Sequence, residues 1–148
     1  MQKINPADLI PMDIFVGNEP ITIDLVYADA AHPRNIFACA IYQAGARLWA
    51  HKDIAALTLL TARTLHKNYG WTLELQDCLR TIEAQAAMQE TEIVKAHPEW
   101  CVDGPDRMLS PPGLGAHPRA MAIDLAPLDK HGHKVDMGTP FDDMSEKS

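Results

Sequence analysis

The stretch "GLGAHPRAMAIDLAP", Gly113 to Pro127, decides how this chain is read, because it joins a change of local structure to a pair of chemistry-bearing residues. Its first half is dense in glycine and proline and reads as loop. The run "AMAIDLAPL" that follows reads as a strand. On such a strand Ile123 and Leu125 face one side, while Ala122, Asp124 and Ala126 face the other. A carboxylate flanked by alanines on a narrow face leaves room beside it, and the preceding loop lets His117 fold back over that face. Histidine and aspartate both ligate zinc when a third ligand and a water complete the tetrahedron. Spacing alone does not separate such a site from a loop histidine and a structural strand carboxylate, and both readings stand at this point.

Upstream, "HKDIAALTLLTARTLHKNYG" predicts a helix. Asp53 serves as N-cap, Ile54, Leu57, Leu60 and Leu65 form one stripe, and Gly70 is the stop. "WTLELQDC" returns to period two, with Trp71, Leu73, Leu75 and Asp77 on one face of a strand. "ITIDLVYA" alternates in the same way and predicts a half-buried strand. "RNIFACAIYQAGARLW" reads as strand or irregular structure. "RTIEAQAAMQETEIVKAH" is helical up to Pro98, and "PEWCVDGPDRMLSPPGLG" is loop. Beyond the opening stretch, "DKHGHK" is a turn and "VDMG" a short partner strand. In "TPFDDMSEKS", Thr139 as N-cap, Pro140 at the first helical position, and Asp142 and Asp143 in the first turn signal a helix start. The sequence then stops, as expected of a chain that ends short of a natural boundary. The order of elements predicts one α+β domain over residues 1–148, with a small antiparallel or mixed sheet and flanking helices.

Bulk properties narrow the function. The formal net charge of −7 and the lack of a basic stripe argue against a nucleic-acid partner. No window approaches the apolar length of a membrane span, and the first residues, broken by Pro6 and Pro11, lack a signal-peptide core. Cys39, Cys78 and Cys101 are odd in number and share no CxxC spacing, so free thiols in the cytoplasm are expected. The oligomeric state is left open.

"HPRAMAIDL" followed by "DKHGHKVDMGTPFDDMSEKS" resembles the zinc-binding segment of the D-alanyl-D-alanine dipeptidases, including those of vancomycin-resistant bacteria. The family pattern is S-x-H-x-x-G-x-A-x-D, a hairpin, then D-M-G-x-x-F-D-x-M-x-E-R-S. "DLVYA" and "AIYQ…ARLWAHKD" are similar to the family's N-terminal region, and "LELQDCLRTIEAQ" to its D-x-Y-R-P-x-x-A-Q segment. The resemblance implies a zinc metallopeptidase that hydrolyses a small D,D-dipeptide in cell-wall precursor metabolism. It puts His117 and Asp124 on two of the three zinc ligands and Arg80 on the arginine that stabilises the oxyanion. Asp77 falls on the family aspartate three residues earlier, and its expected role is substrate binding. Asp142 also matches a family aspartate, although helix capping explains it equally well.

The departures are specific. The family serine before the ligand histidine is Gly115, its H-x-x-G glycine is Ala120, and its Y-R-P triplet is Leu79-Arg80-Thr81. Pro118 is expected to hold His117 extended. The family's later E-x-x-H, which carries the general base and third ligand, has no counterpart, since none of the seven glutamates has a histidine three residues on. "PEW" at Pro98–Trp100 imitates its start but precedes His117. His131 and His133 read as solvated turn residues, His51 and His66 as surface or packing residues, and His32 and His97 as loop residues. Two ligands without a base predict weak zinc binding and poor turnover. The alternatives are a catalytically inactive remnant or peptidoglycan-peptide-binding module, a related zinc carboxypeptidase, and an α+β domain whose His/Asp pair is structural.

Overall fold

The computed structural model describes residues 4–104 and 107–139. In chain order the elements are β1 (Leu9–Pro11), β2 (Ile21–Ile23), β3 (Trp49–His51), α1 (Lys52–Tyr69), β4 (Thr72–Asp77), α2 (Ile82–Gln89), α3 (Glu92–Ala96) and β5 (Asp124–Leu128). β1 and β3 form an antiparallel pair, and the order β2-β4-β5 makes a three-stranded sheet. Within it β2 runs parallel to β4, and β5 runs antiparallel to it. This is the α+β class expected, with a small mixed sheet flanked by helices. Parallel strands need a crossover, and α1 supplies it.

The long helix forms as predicted and stops at Gly70, whose φ of 72° is the left-handed cap that glycine adopts without strain. Its start differs. His51 is the N-cap, with Nδ1 accepting from the Asp53 N–H at 3.3 Å, and Asp53 sits in the first turn, where its charge complements the helix dipole. The expected stripe also rotates. Leu57 and Leu60 are 58% and 60% exposed, while Ala55, Thr58, Leu59 and Ala62 are buried. The two alanines let the helix lie close on the sheet, against Ile21, Leu73 and Leu75.

Two of the other corrections share a cause: at Thr91 and at Asp129, side chains that bond the backbone locally interrupt an apolar period. The strand begun by Ile21 ends at Ile23, and Val26–Ala28 form a 3-10 turn that buries Val26 and Tyr27. The helical run after Arg80 divides into α2 and α3, because the buried Thr91 hydroxyl bonds back to the Met88 carbonyl and Thr91 opens the next helix. "VDMG" forms no strand. Asp129 accepts from the N–H groups of His131 and His133 to close a tight turn, and pairing then extends only to the Leu128–Lys134 bridge. "AMAIDLAPL" is strand only from Asp124 to Leu128. Residues 34–48 are irregular, and the helix start at Pro140–Asp143 lies outside the described residues.

Two apolar clusters result. One joins α1 to the sheet. The other gathers Tyr27, Phe37, Ile41, Ala84, Met88, Val94 and Leu109 around α2. Between them, β4 and β5 carry an irregularity that fixes the site. Leu75 pairs with Leu125, so an unbroken ladder would set Asp77 opposite Ile123. The register instead shifts after Leu75 and sets Asp77 opposite Asp124. Directly opposed residues share a face, so one extra residue brings the two carboxylates together.

Candidate metal centre

His117, Asp124 and Arg80 converge, as the sequence predicts, on a cavity of about 210 Å³ whose walls include Tyr27, Phe37 and Leu109. His117 does not adopt the extended conformation expected before Pro118. It opens the 3-10 turn His117–Arg119, and its carbonyl accepts from the N–H groups of Ala120 at 2.9 Å and Arg80 at 3.3 Å. The turn closes through Ala120 at φ 52°, the left-handed conformation that the family pattern's glycine adopts more readily.

The imidazole is set up for ligation. Nδ1 lies 2.8 Å from the Cys78 carbonyl, which only accepts, so in the neutral imidazole Nδ1 carries the proton and the lone pair is on Nε2. A carbonyl that fixes the tautomer of a ligating histidine is the usual second partner in zinc sites. Nε2 stands 3.5 Å from Asp124 Oδ1. Two ligand atoms at ordinary zinc distances and a tetrahedral angle stand about 3.4 Å apart, so the pair fits the ion. Burial opposes charge on His117. The hydrogen bond and charge of Asp124, aided by Asp77, outweigh both burial and Arg80, and raise its pKa above the usual value.

Asp77, His117 and Asp124 form a group whose ligand atoms lie within 4.8 Å of one another. Asp77 is nevertheless already committed. It is fully buried; Oδ1 accepts from the Tyr42 hydroxyl and from the Cys78 N–H at 2.9 Å. Oδ2 accepts from Arg80 Nε at 3.0 Å and Nη2 at 2.6 Å. Its approach to His117, 3.9 Å, is to the protonated Nδ1. Asp77 would have to surrender several existing hydrogen bonds to ligate a metal, whereas His117 Nε2 and Asp124 would give up chiefly their contact with each other. The residues present fit two positions of a zinc site.

Arg80 is no surface arginine. Its side chain is 11% exposed, its Nη2 lies 3.7 Å from Asp124, and its guanidinium carbon stands 5.6 Å from the Tyr27 ring centre. Burial alone would ease its proton off, but Asp77 and Tyr42 more than offset this. Burial and then the charge of Asp77 hold the Tyr42 phenol protonated far above its ordinary range, so the hydroxyl is a donor. Burial, with Asp77 and Asp124, pushes the neighbouring Cys78 thiol up to about 12.

Sequence reasoning missed Tyr42, Ser110 and Gln85. Gln85 Nε2 donates to the Ser110 carbonyl at 2.9 Å and its Oε1 accepts from the Gly113 N–H at 3.1 Å, fixing the cavity's far wall. A Cβ at Gly115 would lie 3.3 Å from the Ser110 hydroxyl, so a hydroxyl does border this position, supplied from another residue. No local period marks these residues. Glu99 lies outside the cavity's lining and pairs with His97 at 2.9 Å on the turn Pro98–Cys101. His32 is more than a loop residue, since Nε2 lies 3.2 Å from Asp24. The His133 side chain is 81% exposed.

The site thus sets a buried, carboxylate-held guanidinium beside a histidine–aspartate pair at one small cavity. The chain belongs to the D-Ala-D-Ala dipeptidase family, whose sequence profile matches residues 9–148. It is 35% identical over 138 residues to the D-alanyl-D-alanine dipeptidase of Escherichia coli (strain K12). That match covers 93% of this chain and 63% of the relative's length. Among the described residues no helix is long and apolar enough to cross a membrane.

Proposed function

We propose that this chain carries two of the metal ligands and the carbonyl-polarising arginine of a zinc-dependent dipeptidase acting on D-alanyl-D-alanine in cell-wall precursor metabolism. The single observation that supports this reading is the meeting of His117 Nε2, Asp124 and Arg80 at one cavity of about 210 Å³, a size suited to a small dipeptide. His117 and Asp124 would hold the zinc, which when bound supplies Lewis-acid activation of the scissile carbonyl. Arg80 keeps N–H groups beyond those bonded to Asp77, and these would meet the negative charge that develops on the carbonyl oxygen. Asp77, expected to bind substrate, would do so through Arg80. Tyr27, Phe37 and Leu109 give the cavity an apolar side suited to methyl side chains. The free state of Cys39, Cys78 and Cys101 agrees with a cytoplasmic location.

Purified chain titrated with zinc and assayed for D-alanine release tests the proposal. Zinc uptake at one site per chain, weakened in His117→Ala, is the expected result. Uptake unchanged by that substitution would make the His/Asp pair structural. With no E-x-x-H in the sequence, slow or absent turnover is expected of this chain. A second reading, a peptidoglycan-peptide-binding module, predicts saturable D-Ala-D-Ala binding without product.

A further inference from the structure

The segment between β2 and β3 is long and, beyond the 3-10 turn Val26–Ala28, irregular, yet it is built with care. Asn35, only 8% exposed, donates through its amide to the carbonyls of Asp29 and Cys39, both at 2.8 Å, and accepts from the Phe37 N–H at 3.0 Å. Phe37 and Ile41 are buried, and Phe37 packs against the Tyr27 ring with centroids 5.3 Å apart. The N–H groups of Ile41 and Tyr42 both donate to the Tyr27 carbonyl, at 2.9 and 3.3 Å. Long ordered loops of this kind generally serve a function. This one ends its pinned portion at Tyr42, whose hydroxyl reaches the buried Asp77.

We infer that Tyr42 is a positioning residue for Arg80, acting through Asp77: its hydroxyl fixes the plane of the Asp77 carboxylate, and that plane fixes the guanidinium at the cavity. The hydrogen bonds divide between the two Asp77 oxygens, and the Tyr42 hydroxyl also lies within hydrogen-bonding reach of Arg80. Tyr42 and the Cys78 N–H occupy Oδ1, and this leaves Oδ2 as the acceptor for both Arg80 Nε and Nη2. Without the hydroxyl, Oδ1 keeps one neutral donor. A buried carboxylate short of donors turns to recover them, and the nearest strong donor is the guanidinium itself. Arg80 would then be drawn into a two-oxygen fork with Asp77 and away from its present edge toward the cavity. Tyr27 and Tyr42, with ring centroids 6.3 Å apart, flank this arrangement. The inference deepens the dipeptidase reading and rests on it for the purpose of Arg80, but the placement of Arg80 is measurable by itself.

The test is Tyr42→Phe in the full chain, read by the exchange rate and chemical shift of the Arg80 Nε proton in nitrogen-15 spectra. Arg47 and Arg63, whose Nε groups donate to Asp13 and Glu19 at the exposed surface, are internal controls. The expected result is a change confined to Arg80, with its Nε resonance shifted, its proton exchange slower by about tenfold or more as the fork tightens on that proton, and the controls unmoved. Asp77→Asn should move Arg80 further. An unchanged Arg80 signal in Tyr42→Phe would overturn the inference, and so would equal changes at all three arginines, which would mean general loosening. Zinc titration of the same samples separates the two ideas: failure to bind zinc sinks the dipeptidase reading while the Arg80 signal still decides the role of Tyr42.

Discussion

His117, the proposed ligand, shows how little of such a role resides in the side chain alone. Its imidazole is made a one-sided donor by the Cys78 carbonyl, and its second nitrogen is aimed by the 3-10 turn at Asp124. His117→Ala and Asp124→Asn should each lower zinc affinity by about 100-fold or more, as measured by competition with a chelator. Both side chains are partly exposed, so melting temperatures should move by only a few degrees, and a large loss of stability with unchanged affinity would contradict the assignment. The sequence made His117, Asp124, Arg80 and Asp77 legible because they lie in short motifs. It could not reveal that Asp77 serves Arg80, since the Tyr42 hydroxyl that completes its hydrogen bonding comes from 35 residues away. Ala38, exposed and at φ 52°, marks a second residue-scale strain. Ala38→Gly should stabilise the fold by about 0.5 kcal/mol, the left-handed penalty removed less the entropy that glycine adds to the unfolded chain. Urea denaturation would read this directly.

Among the elements, the β4–β5 ladder and α2 shape the site. The register shift after Leu75 sets Asp77 against Asp124, and Arg80 follows one turn of chain later. Strand alternation in the sequence gives the two strands but not their mutual register, which long-range packing sets. α2 is capped by Thr81, whose hydroxyl accepts from the Ala84 N–H at 3.1 Å, and it presents the buried Gln85 to the loop at 110–114. Gln85→Ala strands the buried Gly113 N–H and leaves the Ser110 carbonyl only the longer bond from Gln89 at 3.3 Å. It should lower stability by about 2 kcal/mol. Amide exchange at Gly113 should quicken along with it, and protection equal to the parent protein's would show that Gln85 does not hold the loop. α1 was the most legible element because its period is long and its stop is a glycine. Its N-cap was misread because Asp53 and His51 are both able to cap, and only the path out of β3 chooses between them.

Across the whole molecule, one charged network ties distant segments to the sheet. Arg34 joins Asp24 to Glu74, with Nη2 2.9 Å from Glu74 Oε1; Gln76 donates to the same oxygen at 2.9 Å, and Lys134 approaches it at 3.5 Å. Burial alone would raise the Glu74 pKa, but Gln76, Arg34 and Lys134 together bring it below its ordinary 4.5. A carboxylate favoured in the folded state contributes stability above its unfolded pKa and loses it as the pH falls through the folded one. Glu74→Gln should therefore be less stable than the parent at neutral pH, with the difference vanishing in acid below that range. Thermal melts across pH would check this, and a gap that widened in acid would reverse the sign assigned to Glu74.

By itself the sequence determined the α+β class and the long helix with its glycine stop, and its resemblance to the dipeptidases singled out His117, Asp124 and Arg80. Each depends on local period, turn chemistry or a short motif. The tertiary structure alone decided the β4–β5 register, the commitment of Asp77 to Arg80 rather than to a metal, and the delivery of Tyr42 by an irregular loop. Those features arise from hydrogen bonds and packing between residues far apart in the chain, and no local pattern encodes a partner that only folding brings near.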